Sequence, residues 1–155
     1  MWTPDPNLVR SALALVEGEK NLTANLANIS ALLFYSLSDL NWAGFYLWSE
    51  EDQELVLGPF QGKPACLRIK PNRGVCGAAY REQQTQRVPD VHAFPGHIAC
   101  DGDTRSELVV PLMHQGVCVA VLDLDSPQLD RFSPQDQTLL EELMITLMPK
   151  IWRTK

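Results

Sequence analysis

Residues 107–125 read ELVVPLMHQGVCVAVLDLD and contain two nearly continuous apolar segments separated by a short polar turn. The first segment covers residues 107–113 and the second residues 117–125. Nearly continuous apolar character is typical of strands that are covered on both faces. Because only a short turn separates them, the segments are expected to pair as a hairpin. The stretch therefore predicts two central strands of a covered sheet.

The segments upstream predict two helices and a second hairpin. Residues 7–16 carry apolar side chains on one helical face and stop at Gly18, and residues 21–37 repeat apolar positions at helical spacing. Residues 42–48 are rich in aromatic side chains and residues 54–57 in branched ones, which is typical of paired strands. Together with the later hairpin, these elements indicate a mostly antiparallel sheet.

The downstream half predicts a closing helix and an unusual central region. Ser133 followed by proline is typical of a helix start, and the apolar positions after it predict a buried face that ends near Pro149. Residues 67–69 look like a strand, and a short helix is expected near Gly74. The loop over residues 89–106 is 18 residues long, and loops of that length usually have a function.

The composition excludes several classes of protein. A chain of 155 residues suits one folded domain over residues 1–155, with a core that needs no disulfides. A formal net charge of -6, without a clustered lysine or arginine face, argues against nucleic acid as a partner. No apolar run reaches the ~18 residues of a membrane span, and residues 1–6 lack the features of a secretory signal. The expected compartment is the cytoplasm, where cysteines are kept reduced.

Three of the four cysteines lie in the loop-rich central region, namely Cys66, Cys76 and Cys100. The fourth, Cys118, sits inside a predicted core strand, and we expect it to be a small buried side chain. A reactive cysteine needs partial exposure and surroundings that favour its thiolate. Cys76 at a helix start and Cys100 near His97 both meet this description, so the local sequence leaves open which of them is a nucleophile.

A structural zinc site is the competing interpretation of this region. Enough ligands are present for one: Cys66, Cys76, His92, His97 and Cys100. The close pairs of cysteines that are typical of structural zinc sites are absent from the sequence, however. We therefore expect no metal, and a zinc-stabilised interaction module is the less favoured hypothesis.

Acidic side chains gather at one end of the predicted central hairpin. Glu107 opens the first strand, and Asp123 and Asp125 end the second strand on one of its faces. Because the start of one hairpin strand lies beside the end of the other, the three carboxylates are expected to come together. Like charges at such close range repel one another unless a cation or a proton is present. The cluster therefore predicts a site for a small cationic group.

Two aromatic side chains share a face of the first predicted strand, because Trp42 and Tyr46 are four residues apart. Aromatic residues in this arrangement usually belong to a core, but they can also form the wall of a pocket. The glycines on either side of Cys76 lack the lysine and the spacing of a phosphate-binding loop, which disfavours a nucleotide site. A small-molecule pocket is thus the functional alternative to a plain core.

Four segments resemble one known family. Residues 41–47 read NWAGFYL, residues 74–77 GVCG, residues 95–101 PGHIACD and residues 106–111 SELVVP. These segments are similar to those of the free methionine-(R)-sulfoxide reductases, which are built on a GAF domain. The similarity runs from the second predicted helix through the last one. It implies an α+β fold with a mostly antiparallel sheet of about six strands flanked by helices, and a closed pocket for a whole free amino acid.

The same resemblance implies a thiol-based reaction that needs no bound cofactor. Cys100 is similar to the family's attacking cysteine, Cys66 to its usual resolving cysteine, and Cys76 to a third cysteine with a supporting or alternate role. The family's pocket positions match five residues: Trp42, Tyr46, Glu107, Asp123 and Asp125. Attack on the sulfoxide sulfur would leave a sulfenic acid, a disulfide would follow, and thioredoxin is the implied reductant.

Two further expectations follow from the chemistry and from the resemblance. The departing sulfoxide oxygen needs a proton, and one of the three clustered carboxyl groups is expected to supply it. The chain is also expected to form a homodimer, because GAF domains often pair. The rival interpretation is a non-catalytic GAF sensor of a small ligand, which would have no need of Cys66 together with Cys100.

Overall fold

A computed structural model describes residues 5–153. Of residues 1–6, which were expected to lack a secretory signal, the first four therefore lie outside the described part. The strands are β1 Trp42–Ser49, β2 Glu54–Gly62, β3 Arg68–Ile69, β4 Gln86–Val88, β5 Ser106–His114 and β6 Val117–Ser126. They form one sheet in the order β3-β2-β1-β6-β5-β4, and every neighbouring pair is antiparallel. The expected α+β fold with an antiparallel sheet of about six strands is confirmed.

Four α-helices flank the sheet: α1 Leu8–Val16, α2 Leu22–Ser36, α3 Gly74–Glu82 and α4 Pro134–Ile151. At the start of α2, the Asn21 side chain accepts a hydrogen bond from the Ala24 N–H, which has no partner within the helix. At the start of α4, Ser133 and Asp136 form a reciprocal capping box. Among residues 5–153, no helix is both long enough and apolar enough to cross a membrane.

The two faces of the sheet are covered by different elements. Helices α1, α2 and α4 pack on one face and bury a large apolar core, in which Leu122 and Leu124 are fully buried. Helix α3 covers the opposite face, where Val121 belongs to a second, smaller cluster. Because side chains alternate along a strand, Asp123 points with Val121 to the α3 side. This second layer holds the candidate site.

The central hairpin places the start of β5 beside the end of β6, as the sequence predicts. Gln115 and Gly116 both adopt positive φ, 52° and 79°, which suits a tight two-residue turn between β5 and β6. Between Leu112 and Met113 an irregularity then shifts the pairing by one residue, so that Glu107 pairs with Asp125 across the two strands. The turn and this shift together therefore place Glu107 on the same face as the two aspartates.

The structure extends or corrects the sequence prediction in three places. Strand β2 continues to Gly62 instead of ending at residue 57. Strand β4 forms at Gln86–Val88, where no periodicity was visible, because three residues at an edge are too short for alternation to register. The expected end of α4 near Pro149 is wrong, since the helix runs on to Ile151. A proline in the last turn removes only one N–H donor, so the helix tolerates it.

Candidate active site

One pocket brings together most of the residues that the sequence singled out. It lies on the α3 face of the sheet. Strands β1, β5 and β6 form one side of it, and the first turn of α3 and the loop that carries Cys100 form the other. Of the eight expected site residues, seven line this pocket: Trp42, Tyr46, Cys76, Cys100, Glu107, Asp123 and Asp125. The eighth, Cys66, is bonded to one of them but does not itself line the pocket.

Aromatic side chains form one wall of the pocket. Trp42 and Tyr46 are each only 2% exposed, and their rings stack with centroids 5.8 Å apart. The Trp42 indole N–H donates to the carbonyl of Lys63 over 3.2 Å, and the Tyr46 hydroxyl donates to the carbonyl of Cys66 over 2.9 Å. The two rings are therefore held rigidly, and they belong to the core and to the pocket wall at once.

The three carboxyl groups meet as the hairpin predicts. Glu107 is 7% exposed and Asp123 is 5% exposed, and both form side-chain hydrogen bonds within the cluster that includes Asp125. Burial is the largest cause that raises the pKa of each group well above its usual range, and the neighbouring acids raise it further. Burial and the neighbouring acids therefore favour the protonated form of these carboxyl groups.

Part of the cluster's hydrogen-bonding capacity is unused. The Oδ1 atoms of Asp123 and Asp125 are buried and have no hydrogen-bond partner in the described part of the chain. Buried acceptor oxygens without a donor are costly, so a bound donor would stabilise them. The expectation of a site for a small cationic group therefore has a matching feature in the structure.

Cys76 lies deep in the same pocket, in the first turn of α3. Its side chain is buried, and its Sγ is 4.0 Å from Oε2 of Glu107. Burial, followed by the nearby Asp123, raises the pKa of the Cys76 thiol well above its usual range. A thiol that stays protonated is a poor nucleophile. Of the two candidates that the local sequence left open, this geometry favours Cys100.

Cys66 and Cys100 form a disulfide across the edge of the pocket. Their Cα atoms are 5.4 Å apart, and the two residues are 34 positions apart in the sequence. Cys66 lies just before β3, and Cys100 lies in the long loop before β5. This is the pair that the family resemblance implies. Cys118 is 2% exposed within β6 and takes no part in the pocket, as the sequence predicted.

The zinc hypothesis does not fit this arrangement. With their sulfurs joined, Cys66 and Cys100 do not offer two thiolates to a metal. Among the described residues, Cys76, Glu107 and Asp123 do place one ligand atom each within 4.8 Å of one another. That group consists of Cys76 and two of the carboxyl groups already described in the pocket, and the rest of the expected zinc ligands are not in it.

His97 does not supply the positive charge that its position beside Cys100 suggested. Burial, followed by the neighbouring His92, lowers the pKa of His97 below its usual value. The two imidazole rings lie with their centroids 6.1 Å apart. The His97 ring is therefore neutral near pH 7 and serves as part of the pocket lining.

The loop of Cys100 is held by contacts that the sequence did not predict. The side-chain nitrogen Nδ2 of Asn41 donates to Oδ2 of Asp101 over 3.0 Å and to Oγ1 of Thr104 over 2.9 Å. The Gly74 N–H donates to the carbonyl of Gly96 over 3.1 Å. These contacts join residues more than 20 positions apart, so no local pattern announces them. They fix Cys100 between β1 and the start of α3.

The first turn of α3 faces the pocket with polar hydrogens. Gly74, Val75 and Cys76 line the pocket, and Arg73 before them gives the helix no side-chain cap. The Gly74 N–H is already bonded to Gly96, but the remaining N–H groups and the helix dipole at such an end favour an anion. The three carboxyl groups, which we call the floor of the pocket, thus share the site with the start of α3 and with the disulfide-bonded sulfur of Cys100.

Comparisons with known proteins agree with this geometry. The GAF domain family model matches residues 21–148. A free methionine-R-sulfoxide reductase of Escherichia coli is 52% identical over 141 residues, covering 91% of this chain and 84% of that protein. A solved structure of fRMsr of Staphylococcus aureus in complex with substrate has a TM-score of 0.90 at 43% identity, over 97% of this chain and 99% of that one.

A second solved structure gives the same result. The free methionine-R-sulfoxide reductase from Neisseria meningitidis, in complex with its substrate, has a TM-score of 0.89 at 40% identity. The match covers 97% of this chain and 93% of that one. The chain is therefore similar, along nearly its whole length, to proteins of this description.

Proposed function

The chain belongs to the free methionine-(R)-sulfoxide reductase family of GAF domains, and from that premise we propose that it reduces free L-methionine-(R)-sulfoxide to L-methionine. The observation that carries the proposal is the Cys66–Cys100 disulfide at a pocket whose floor has unpaired, buried carboxyl oxygens. The first feature fits a thiol-based reduction, and the second fits the ammonium group of a free amino acid.

The two charged ends of a free amino acid fit the two ends of the pocket. The substrate ammonium group would donate to the buried oxygens of Asp123 and Asp125. The substrate carboxylate would accept hydrogen bonds from the first turn of α3, and its methyl group would pack on Trp42. A methionine sulfoxide inside a protein has neither charged end, so the pocket is expected to reject it.

The reduction begins at Cys100. Its thiolate forms a bond to the sulfoxide sulfur, and the sulfoxide oxygen is protonated. The oxygen then passes to the Cys100 sulfur as the original sulfur–oxygen bond and the bond between the two sulfurs break, and methionine leaves. The oxygen is transferred to Cys100, which becomes a sulfenic acid and is thereby oxidised by two electrons. Cys66 then attacks the Cys100 sulfur, releases water and closes the disulfide.

A carboxyl group of the cluster supplies the proton. Burial keeps the pKa of Glu107, Asp123 and Asp125 well above the usual carboxyl range, so a protonated acid is at hand near neutral pH. The remaining carboxylates hold the substrate ammonium group. The same cluster thus binds a cation and donates a proton.

Cys66 is the better placed of the two resolving candidates. It already bonds to Cys100, whereas Cys76 is buried beside Glu107 with a raised thiol pKa. Cys76 therefore has the supporting or alternate role. Thioredoxin would return the disulfide to two thiols, with the protein working as a homodimer in the cytoplasm, where thiols are kept reduced.

A ligand sensor is the second candidate function, because a pocket with unpaired acceptors would bind a cationic ligand without changing it. A single-turnover experiment separates the two. Fully reduced protein, mixed with an excess of free methionine-(R)-sulfoxide and no external reductant, is expected to form one methionine per chain. It is also expected to lose two thiols, which peptide mass spectrometry would assign to Cys66 and Cys100. Binding without methionine formation would support the sensor.

A further inference from the structure

The Cys66–Cys100 disulfide has an inner and an outer end. Both cysteines are half-buried, but only Cys100 lines the pocket. The backbone of Cys66 is tied to the interior, because its carbonyl accepts from the buried Tyr46 hydroxyl over 2.9 Å. An approach to Cys66 therefore does not pass through the pocket, while the substrate meets the bridge on the Cys100 side.

The residue after Cys66 is an exposed leucine. Leu67 is 70% exposed, although its carbonyl is fixed by the N–H of Leu57 over 3.0 Å. Five exposed, uncharged residues flank the bridge on its two loops, and we call them the neutral rim: Pro64, Leu67, Pro95, Gly96 and Ala99. A single exposed leucine is ordinary on a protein surface, but this one adjoins the only disulfide among the described residues.

Two basic side chains at the edge of the neutral rim are already paired with acids. Lys63 binds Asp103 at 2.8 Å, and Arg68 binds Asp52 at 2.6 Å. Neither pair leaves an unmatched charge facing the bridge. The surface around the disulfide therefore suits a partner whose own reactive thiols are surrounded by uncharged, apolar residues.

We propose that the dithiol protein that regenerates the enzyme docks on the neutral rim against Leu67 and attacks the sulfur of Cys66, leaving Cys100 as the first thiol released. This inference rests on the proposed function, because a reductase must have its disulfide reopened after every turnover. It adds a docking residue and a direction of attack, neither of which the reaction itself requires.

The thiol–disulfide exchange takes place in two steps. The thiolate of the reductant forms a bond to the Cys66 sulfur, the Cys66–Cys100 bond breaks, and its electron pair leaves with Cys100 as a thiolate. The second thiol of the reductant then attacks the mixed disulfide, and Cys66 leaves and takes up a proton. The reductant departs as its own disulfide, having given two electrons. Cys100 is returned to the pocket in its nucleophilic form.

The docking role is tested with Leu67→Ser and its matched control Ile145→Ser, since Ile145 is 75% exposed on α4 away from the bridge. The oxidised protein is mixed with thioredoxin or with dithiothreitol, without any sulfoxide, and the newly formed thiols are counted over time. We expect Leu67→Ser to slow reduction by thioredoxin on the order of tenfold, the loss typical of removing one apolar anchor. Reduction by dithiothreitol is expected to be unchanged, and Ile145→Ser to match the unaltered protein.

Two results would overturn the docking role. Equal rates with thioredoxin for Leu67→Ser and Ile145→Ser would remove Leu67 from the interface. An equal slowing by thioredoxin and by dithiothreitol would mean that Leu67 acts on the disulfide loop itself. Leu67→Met, which keeps an apolar side chain of similar size, is expected to restore the rate with thioredoxin.

The direction of attack is tested by trapping. A thioredoxin whose second cysteine is replaced by serine stops at the mixed disulfide, and peptide mass spectrometry is expected to find it on Cys66. A mixed disulfide on Cys100 would overturn the proposed direction. Because these experiments use no sulfoxide, their outcome is separate from that of the proposed function, which is measured by methionine formation with dithiothreitol as reductant.

Discussion

Cys100 and Cys118 have the same side chain in different surroundings. Cys100 lines the pocket, whereas Cys118 is 2% exposed within β6, where burial raises the pKa of its thiol. We expect Cys100→Ser to lower methionine formation by roughly 10³-fold or more, because the nucleophile is lost. The control Cys118→Ala is expected to keep full activity in the same assay. Comparable losses in both variants would contradict the assignment of the nucleophile.

The buried carboxyl cluster makes stability depend on pH. In the folded protein the pKa of Asp123 is raised well above its usual range, chiefly by burial and next by Glu107. The contribution of this group to stability is therefore greatest at low pH and declines as the pH rises towards the folded-state pKa, since the unfolded carboxyl ionises first. The buried carboxyl group that the proposed reaction uses therefore lowers the stability of the fold at neutral pH.

Asp123→Asn is expected to remove this penalty. The gain in free energy of unfolding should be about 1 kcal/mol at pH 7, and it should shrink at about pH 3, below the ordinary carboxyl pKa, where the wild-type group is mostly protonated in both states. Urea unfolding of the reduced protein at the two pH values measures it, and methionine formation should fall at the same time. The control Asp103→Asn changes an exposed surface ion pair and is expected to have little effect. A gain that is equal at both pH values would contradict the account.

Helix α3 and the loop of Cys100 meet at Gly74. This residue has φ +67°, and an added Cβ would lie 3.3 Å from the side chain of Ile98. Gly18 has φ +77° with no atom within 4 Å of an added Cβ, so it provides a control with the same backbone cost. We expect each alanine variant to lose roughly 1 kcal/mol of stability.

Only Gly74→Ala is expected also to lower kcat/KM, because it pushes the Ile98 segment and with it Cys100. Thermal unfolding and steady-state rates of methionine formation measure the two effects separately. If Gly18→Ala lost as much activity as Gly74→Ala, the contact between α3 and the loop would not be what positions Cys100.

Long elements with a clear pattern could be predicted from the sequence, and short or edge elements could not. The β5–β6 hairpin follows from two apolar segments and a tight turn, but the register shift between Leu112 and Met113 that brings Glu107 beside Asp125 has no signal in the pattern. Strand β4 escapes prediction because it is three residues long and pairs only with β5. The end of α4 is misplaced because a proline in a last turn weakens a helix without ending it.

Over the whole molecule, side chains fixed by strand periodicity could be predicted, and contacts between distant loops could not. The shared face of Asp123 and Asp125 and the Trp42–Tyr46 wall follow from alternation along β6 and β1. The pairing of Cys66 with Cys100 depends on the path of two loops, and only the family resemblance indicated it. The contact of Asn41 with Asp101 joins residues 60 positions apart and has no local signal.

The disulfide also acts on the fold as a whole. It joins residues separated by 34 positions, so closing that loop is expected to stabilise the oxidised protein by about 3–4 kcal/mol on the chain-entropy model. For a chain of this size the melting temperature should rise by roughly 10 °C on oxidation. Calorimetry with and without dithiothreitol measures the shift. The Cys66→Ser variant is the control, and a reductant-dependent shift in that variant would contradict this origin of the stability.

The most direct test of the central claim is the thioredoxin-coupled consumption of NADPH with free L-methionine-(R)-sulfoxide. The S epimer and a peptide that contains methionine sulfoxide serve as controls in the same assay. The account predicts turnover with the free R epimer alone, because the pocket holds both charged ends of one amino acid and presents its sulfur to Cys100. Equal turnover of the peptide, or binding of the free R epimer without any NADPH consumption, would contradict it.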